Sequence, residues 1–402
     1  MSLPDWISEF SKPDHLWYLK RLSANDTLAN KSHQAGPYIP KELLFRALPG
    51  LGNPAVENPR VQIDAFVDSG TEARSVTAIW YNNRHWGGTR NETRVTGWGG
   101  GASALLDPDS TGALAVFVFA NGAIASGATA IHVWVCSGYQ DEMFEDLVGP
   151  VDPGRAITWR PGEPVSLFNT GVVRSSCAMA PSEMPPHWLQ AFPSPTEIVR
   201  RSVEMQPLQS QTPDDRLIRR RKCEFEIFKS VEEAIEAPKV AAGFASLDQF
   251  LVLAQTILQR RKSRSGRSLE LHAREIFLEE GLVEGHQFSH GGVSEGDKKP
   301  DFLFPSEQAY QDGSFPEDRL RMLAAKTTAR DRWRQVLNEA DRIKVKHLLT
   351  LQEGVSENQF AEMEAASLQL VVPANLIEAF PESVKPKLMT LDQFIYDVRA
   401  LG

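Results

Sequence analysis

Short apolar runs separated by turn-forming residues dominate the first third of the chain. They lie at residues 61–68, 75–82, 113–120 and 130–137, with Gly, Asn or Asp between them. Runs of this length that are rich in Val, Ile, Phe and Trp are typical of β-strands. From about Val61 to Ser137 the pattern therefore predicts a β-rich domain, folded as a closed or half-closed barrel.

The second half of the chain alternates between amphipathic helical spacing and short apolar runs. Helices are predicted at residues 217–237, 247–261, 268–280 and 392–401, and another begins at Glu357. Strands are predicted at residues 302–304, 320–325, 347–351 and 368–372. Alternation of this kind favours an α/β core, in which helices flank a mixed sheet.

Proline residues mark the boundary between the two patterns. Five prolines fall between Pro181 and Pro195, and the polar stretch LQSQTPDD follows them. Such a composition is typical of connecting segments. We predict an N-terminal domain at residues 1–180, a linker at 181–212 and a C-terminal domain at 213–402.

Length and cysteine content narrow the class of protein. With 402 residues the chain can form two domains with separate cores. No apolar run approaches the roughly 20 residues that span a bilayer, and MSLPDWISEFSK lacks the features of a signal peptide. Cys136, Cys177 and Cys223 are few and unclustered, which argues against a zinc site and predicts buried, reduced side chains in a cytoplasmic protein.

The net charge of −9 is unusual for a protein that binds nucleic acid, but the basic residues are clustered. Five of the seven residues 216–222 are basic, as are five of the eight residues 260–267. Phosphate contacts depend on local patches, whereas overall acidity limits non-specific binding. The distribution is therefore compatible with a sequence-specific DNA-binding protein.

The most specific chemical signal lies in the C-terminal domain. Asp301 precedes the predicted strand at 302–304, and Lys326 follows the predicted strand at 320–325. A carboxylate that holds Mg²⁺ beside a phosphodiester, with a lysine that orients or deprotonates water, suits metal-assisted hydrolysis. A bare Pro-Asp and Lys pair is a weak signal, because a surface turn and a strand-end lysine also produce it.

The segments around this pair resemble one family closely. KTTARDRWRQVLNEADRI, KKPDFLFPS and RRKSRSGRSLELH, together with YLKRLSANDT and YNNRH, are similar to segments of the EcoRII family of restriction endonucleases, which cut at 5′-CC(A/T)GG. The resemblance covers nearly the whole chain. It implies an α/β restriction-endonuclease-like catalytic core and a separate N-terminal β-rich DNA-binding pseudobarrel.

The resemblance also implies a catalytic set. The common motif of this fold is Pro-Asp followed by Asp/Glu-x-Lys, but here Ala324 occupies the second acidic position. A subgroup places that acid on the following helix, where Glu339 stands thirteen positions after Lys326. Asp301 and Glu339 would then bind Mg²⁺, and Lys326 would activate water.

Two more residues match the family's active site. Glu270 corresponds to a glutamate that approaches the metal from a helix, and the alternative is a first-turn glutamate stabilised by the helix dipole. Tyr310 corresponds to a tyrosine near the catalytic residues, and the alternative is a packing aromatic.

The resemblance assigns two groups of residues to DNA recognition. Arg330, Asp331 and Arg332 match the motif that reads CC and GG, since arginine donates to guanine and a carboxylate accepts from cytosine. Arg221 and Phe225 match a pair that sandwiches a flipped nucleotide, although Phe replaces the expected Tyr or Trp. For this pair a core phenylalanine and a surface arginine remain an alternative.

The N-terminal domain would hold a second, effector copy of the DNA site. The matching residues are Lys20, Arg21, His33, Tyr38, Arg84, His85, Arg90, Glu92 and Arg94. Lys or Arg is expected but absent at Gly88, Thr93, Gly97 and Gly100. Missing phosphate contacts would weaken effector binding, so effector activation remains an open question.

Further expectations concern partners. The resemblance implies a homodimer on double-stranded DNA, a Mg²⁺ cofactor, autoinhibition by the N-terminal domain, and a cognate DNA methyltransferase in the same restriction-modification system. Two alternatives are a DNA-binding regulator with a non-cleaving nuclease-like domain and a repair nuclease of the same fold.

Overall fold

The chain divides into two compact units. The computed structural model describes residues 1–30, 36–121, 127–138, 140–148, 150–161, 177–207, 211–296 and 298–401. Unit 1 comprises Met1–Thr170, Gln352–Ala361 and Glu378–Pro386, and unit 2 comprises Gly171–Leu351, Glu362–Ile377 and Lys387–Gly402. Two short C-terminal segments therefore belong to the unit that contains the N-terminal sequence.

Unit 1 contains the predicted β-rich domain. Its strands are β1 (Leu16–Arg21), β2 (Arg60–Val67), β3 (Glu72–Tyr81), β4 (Glu92–Thr96), β5 (Leu114–Asn121), β6 (Ala128–Val135) and β7 (Ala156–Trp159). Its helices are α1 (Leu3–Phe10), α2 (Lys41–Ala47) and α3 (Gln140–Val148). The strands form one sheet in the order β4-β3-β2-β6-β5-β1-β7, in which β2 and β6 pair in parallel.

Both faces of the central strands in this sheet are covered. Leu16 and Tyr18 of β1 enter one apolar cluster, whereas Trp17 and Leu19 enter another. Successive side chains of a strand point to opposite faces. Burial on both faces therefore explains why these strands are continuous apolar runs rather than alternating ones.

Unit 2 is the predicted α/β domain. Its strands are β8 (Ser289–His290), β9 (Phe302–Phe304), β10 (Arg321–Ala325), β11 (Lys346–Leu349) and β12 (Leu368–Val371), in the order β12-β11-β10-β9-β8. Its helices are α4 (Pro186–Gln190), α5 (Pro195–Met205), α6 (Pro213–Ala242), α7 (Leu247–Glu279), α8 (Glu307–Gln311), α9 (Trp333–Val336) and α11 (Leu391–Ala400). Helix α10 (Glu357–Ala365) begins in a segment of unit 1 and ends in a segment of unit 2. Parallel pairing of β10 with β11 and antiparallel pairing with β9 confirm the mixed sheet.

Helix α7 corrects the prediction of two separate helices at 247–261 and 268–280. It continues through the basic run because carboxylates of α6 neutralise the arginines. Arg264 donates two hydrogen bonds of 2.9 Å to Glu224, and Arg261 lies 2.6 Å from Glu232. Local sequence does not reveal such interhelical pairs, so the charged stretch resembled a break.

The same pairing engages part of both basic runs, which the sequence suggests as patches for phosphate. In the first run, Arg216 and Arg220 are buried and both contact Glu279. In the second run, Arg260 lies 2.8 Å from Glu236. These arginines stabilise the packing of α6 against α7, and charge-assisted pairs of this kind are the strong ones.

The stretch predicted as a linker is largely structured. Helices α4 and α5 occupy much of residues 181–212, and their side chains Trp188 and Ile198 join an apolar cluster with Ile227 of α6. Proline residues are compatible with this structure, because Pro186 and Pro195 each begin a helix, where a missing N–H group has no cost.

The cysteines also depart from the prediction. Cys177 and Cys223 form a disulfide bond between the segment before α4 and helix α6, whereas Cys136 is buried in unit 1. Their separation of 46 residues gives no sequence signal, since packing of the helices brings them together. Among the described residues, no helix is long and apolar enough to cross a membrane.

Candidate active site

Antiparallel pairing of β9 with β10 brings Asp301 and Lys326 together. Asp301 immediately precedes β9, and Lys326 immediately follows β10, so the two residues lie at the same edge of the sheet. Lys326 Nζ donates to Asp301 Oδ2 at 3.0 Å, and the backbone N–H of Ala325 donates to the same oxygen at 2.7 Å. The carboxylate and the amine therefore form one site.

Glu339 lies in this site electrostatically, although its backbone position differs from the prediction. It lies on a bend three residues beyond the end of α9, not on a helix. Burial raises the pKa of its carboxyl to about 7, while nearby Lys326 lowers that pKa and nearby Asp301 raises it. All three predicted catalytic groups are thus close enough to influence one another.

The donor atoms in this site fit a divalent cation. Glu339 Oε2 is buried without a hydrogen-bond partner, which is costly unless another group compensates. Both hydrogen bonds to the side-chain carboxylate of Asp301 involve Oδ2, which leaves Oδ1 for a ligand. No cluster of three or more metal-ligating side chains occurs among the described residues, and Mg²⁺ needs only one or two carboxylates when water and phosphate complete its shell.

Glu270 is linked to this site through His290, a residue that the sequence did not indicate as part of the site. Glu270 lies in the second half of α7, so the alternative of a first-turn glutamate is wrong. Its Oε1 forms a hydrogen bond with Nε2 of His290, whose ring stacks on Phe302. Because His290 pairs with Phe302 in the sheet, Glu270 is held one strand away from Asp301. An isolated histidine after α7 carries no sequence signal for this contact.

Tyr310 is buried, with 2% of its surface exposed. Its hydroxyl donates to Glu295 and accepts a hydrogen bond of 3.3 Å from the backbone N–H of Arg342. The tyrosine is thus more than a packing aromatic. Its hydroxyl joins Glu295 to the segment that follows Glu339, and among the described residues it makes no hydrogen bond to Asp301 or Lys326.

The Arg330-Asp331-Arg332 triplet forms a 3₁₀ turn between Lys326 and α9. Buried Ala329 and Trp333 flank the turn on either side, and both arginines are partly exposed. The side chain of Asp331 lies outside the part of the structure that is described. The turn begins four residues after Lys326.

Arg221 and Phe225 lie one turn apart on α6. Arg221 is buried, which excludes the alternative of a surface charge. The ring of Phe225 is half-buried beneath the guanidinium of Arg264, whose Cζ lies 4.8 Å from the ring centroid. The phenylalanine therefore makes a cation–π contact with Arg264.

Some of the residues predicted to bind effector DNA instead make contacts within the protein. Arg21 is 5% exposed, and its guanidinium contacts Asp141, Glu145 and the carbonyl of Val151. This corrects its assignment to DNA binding, because Arg21 joins β1 to α3. Lys20 is paired with Asp26 at 2.7 Å, and His33 lies outside the described residues.

The remaining effector candidates lie on two neighbouring elements of unit 1. Arg84 and His85 belong to the 3₁₀ turn Asn83–Trp86, and Arg90 and Arg94 both contact Glu92 near β4. Tyr38, Glu92 and Arg94 line a common cleft. The N–H of Arg84 donates to the carbonyl of Arg90 at 3.0 Å, which joins the turn to the segment before β4.

The backbone explains two departures from the expected basic residues. Gly97 has φ of +94° and Gly100 has φ of +62°, a region that residues with a Cβ atom rarely adopt. A lysine or arginine at either position would strain the loop after β4. Thr93 is instead buried in β4, where a long cation would lack space.

Comparison with known proteins relates the whole chain to restriction enzymes. The family description "Restriction endonuclease EcoRII, N-terminal" matches residues 11–163, and "EcoRII C terminal" matches residues 228–395. The type II restriction enzyme EcoRII of Escherichia coli is 41% identical over 406 residues, which cover 99% of this chain and 97% of that enzyme.

Two solved structures are also similar. Metal-depleted Ecl18kI in complex with uncleaved, modified DNA is 17% identical and has a TM-score of 0.44, and the match covers 53% of this chain and 80% of Ecl18kI. The B3 domain of the UbaLAI restriction endonuclease with cognate DNA is 18% identical and has a TM-score of 0.27, and the match covers 39% of this chain and 97% of that domain.

Proposed function

Because the chain belongs to the EcoRII family and is a type II site-specific deoxyribonuclease, we propose that it cuts both DNA strands at 5′-CCWGG or a closely related site in a Mg²⁺-dependent reaction. The observation that carries this proposal is the contact between Asp301 and Lys326, with the buried carboxylate of Glu339 nearby. Its acidic and basic groups suit hydrolysis of a phosphodiester.

The proposed roles follow from the positions of the side chains. Asp301 and Glu339 would hold Mg²⁺, which supplies positive charge to the scissile phosphate. Lys326 would orient the attacking water and stabilise the negative charge of the transition state, because its ammonium is already fixed against Asp301 at 3.0 Å. Water attacks phosphorus in line as the bond to O3′ breaks, which yields a 5′-phosphate and a 3′-hydroxyl. Glu270 would assist from α7 through its contact with His290.

Recognition of the sequence would use residues next to this site. Arg330 and Arg332 would donate to guanine, and Asp331 would accept from cytosine. Their turn immediately precedes the segment of Glu339, so correct base contacts would be coupled to assembly of the metal site. Arg221 and Phe225 would bind a flipped central nucleotide, with stacking on Phe225 offsetting part of the cost of flipping.

A homodimer would supply one active site for each strand of a palindrome. The connection between α6 and α7 provides a suitable surface, which we call the hairpin tip and define as residues 240–259. Asp248 is its only charged residue, and five large apolar side chains in it are exposed. They are Val240, Leu247, Phe250, Leu251 and Val252. An apolar surface without basic residues is complementary to a second copy of itself but not to DNA.

Other parts of the proposal rest on the family resemblance. Unit 1 would bind an effector copy of the DNA site through Tyr38, Arg84, His85, Arg90 and Arg94, and would inhibit cleavage until that copy is bound. A cognate methyltransferase would protect the host DNA, and both proteins would work in the cytoplasm, where the DNA is.

Sequencing of the cut ends tests the proposal against its alternatives. Plasmid DNA with one CCWGG site is incubated with the protein and Mg²⁺, with or without a short CCWGG duplex in excess. Both strands should be cut at the site, and the added duplex should raise the rate if effector activation is present. Binding without cleavage would favour a regulator, and single-strand nicks at lesions would favour a repair nuclease.

A further inference from the structure

The segment that carries Glu339 has little regular structure of its own. Residues 337–345 connect α9 to β11 without forming a helix or strand. Ala340, directly after Glu339, has φ of +50°. An L-residue other than glycine adopts this left-handed conformation at a cost, so surrounding contacts must hold it there.

Two side chains hold the same peptide group from opposite ends. The carbonyl of Ala340 accepts a hydrogen bond from Lys346 Nζ, and the N–H of Asp341 donates to Glu295 Oε2 at 3.0 Å. These atoms belong to the peptide that links Ala340 to Asp341. Because a peptide group is planar, fixing both of its ends fixes its orientation.

Glu295 is itself fixed by two further residues. The Tyr310 hydroxyl donates to its other oxygen, Oε1, and the same hydroxyl accepts from the N–H of Arg342. The Arg342 guanidinium donates to the carbonyls of Asp312 and Phe315, each at 3.0 Å, and to that of Tyr310. The segments around Glu295 and Tyr310 are thus tied to the turn that follows Glu339.

We propose that Glu295 and Lys346 are positioning residues, which clamp the Ala340–Asp341 peptide with the help of Tyr310 and Arg342 and thereby fix the direction of the Glu339 carboxylate. The inference rests on the proposed role of Glu339 as a metal ligand. Neither Glu295 nor Lys346 needs to touch metal or DNA. The clamp also gives Tyr310 a role that is compatible with its burial.

Replacement of Glu295 tests this inference. In Glu295→Ala the Asp341 N–H loses its acceptor, so Mn²⁺ binding to the DNA-free protein should weaken by about 10- to 100-fold, as for other residues that orient a metal ligand. The free Mn²⁺ signal in electron paramagnetic resonance measures this. The Mg²⁺ concentration for half-maximal cleavage should rise, with a smaller change in the rate at saturating Mg²⁺.

A conservative variant separates positioning from ligation. In Glu295→Gln the amide oxygen can still accept from Asp341, and the amide N–H can donate to the Tyr310 hydroxyl. Mn²⁺ affinity should therefore return close to that of the wild type. Glu317→Ala is the matched control, since Glu317 is an exposed glutamate 3.9 Å from Arg342 that does not contact the clamped peptide. It should bind Mn²⁺ normally.

Three results would contradict either the clamp or the proposed metal site. Unchanged Mn²⁺ affinity in Glu295→Ala would refute the clamp, and so would equal loss in the Ala and Gln variants of a folded protein. If Glu295→Ala does not fold, Tyr310→Phe tests the same contact and should weaken Mn²⁺ binding. Normal Mn²⁺ binding and cleavage by Glu339→Ala would instead refute the proposed metal site itself.

Discussion

Glu339 carries a buried carboxyl group whose charge depends on its surroundings. Its buried oxygen has no hydrogen-bond partner, and burial raises its pKa to about 7 despite the nearby ammonium of Lys326. A buried carboxyl group of this kind keeps its proton at pH values at which an exposed one is ionised. A divalent cation would reverse this preference, because it stabilises the ionised carboxylate.

The raised pKa predicts how stability depends on pH in the absence of metal. Its folded value of about 7 lies above the ordinary value of 4.5, so the protonated group contributes stability that is complete below pH 4.5. This contribution is lost as pH rises through about 7. The loss should not exceed about 2 kcal/mol after solvent screening.

Urea denaturation between pH 4.5 and 8 measures this dependence. Wild type should lose free energy of unfolding over that range relative to Glu339→Gln, whose side chain does not titrate. Mg²⁺ should restore the free energy of unfolding of the wild type at high pH and should change that of the variant little. Parallel pH profiles for the two proteins would show that the carboxyl group of Glu339 is not perturbed.

Local sequence predicted individual residues where their role follows from a short segment. The positions of Asp301 and Lys326 at strand ends could be predicted, because the apolar runs of both strands are evident in the sequence. Asp301 precedes β9, and Lys326 follows β10. Arg21 could not, since its partners Asp141 and Glu145 lie more than a hundred residues away. His290, Glu295 and Lys346 carry no sequence signal for the same reason, because only the folded chain brings them to their partners.

At the scale of elements, helices α6 and α7 form two distinct parts. Their inner halves are joined by ion pairs such as Arg264 with Glu224, and they carry Arg221, Phe225 and Glu270. The hairpin tip at the outer end has almost no charge and exposes apolar side chains. A rigid inner part with an apolar end suits an element that both shapes the active site and contacts another subunit.

Replacement of Leu247 tests whether the hairpin tip is the dimer interface. Leu247 is 71% exposed, so an aspartate there should not disturb the fold but would place a charge in the interface. Leu247→Asp should weaken dimerisation by about 10- to 100-fold, since interface anchors contribute 1–3 kcal/mol or more. Sedimentation equilibrium without DNA measures the dissociation constant of the dimer.

Tyr396→Asp provides the matched control, because Tyr396 is 77% exposed on α11 and also belongs to unit 2. This variant should dimerise like the wild type. Equal dimerisation of Leu247→Asp would place the interface elsewhere, and a monomeric wild type would refute the homodimer.

Helices and strands were predicted well where the hydrophobic pattern is strong. They were predicted poorly where tertiary contacts determine the ends of an element. Strand β9 matches its prediction because Phe302, Leu303 and Phe304 are all buried. Helix α7 was divided in two because its arginines have partners only on α6. Glu339 was placed on a helix, but α9 ends at Val336, and the contacts of the following turn replace helical hydrogen bonds.

At the scale of the molecule, the division into two units agrees with the two family matches at residues 11–163 and 228–395. From its two hydrophobic patterns the sequence predicts two domains, at residues 1–180 and 213–402. It did not predict that residues 352–361 and 378–386 belong to unit 1, because contacts rather than sequence order define a compact unit. The segment predicted as a linker likewise folds onto unit 2 through Trp188 and Ile198.

The most direct test of the account is the single-turnover cleavage rate of Lys326→Ala on a duplex with one CCWGG site. Loss of the amine should slow cleavage by about 100- to 1,000-fold, the usual effect of removing a group that stabilises transition-state charge. DNA affinity measured with Ca²⁺ should change little, because recognition is assigned to other residues. Cleavage at the wild-type rate would contradict the proposal that Asp301, Lys326 and Glu339 form the catalytic site.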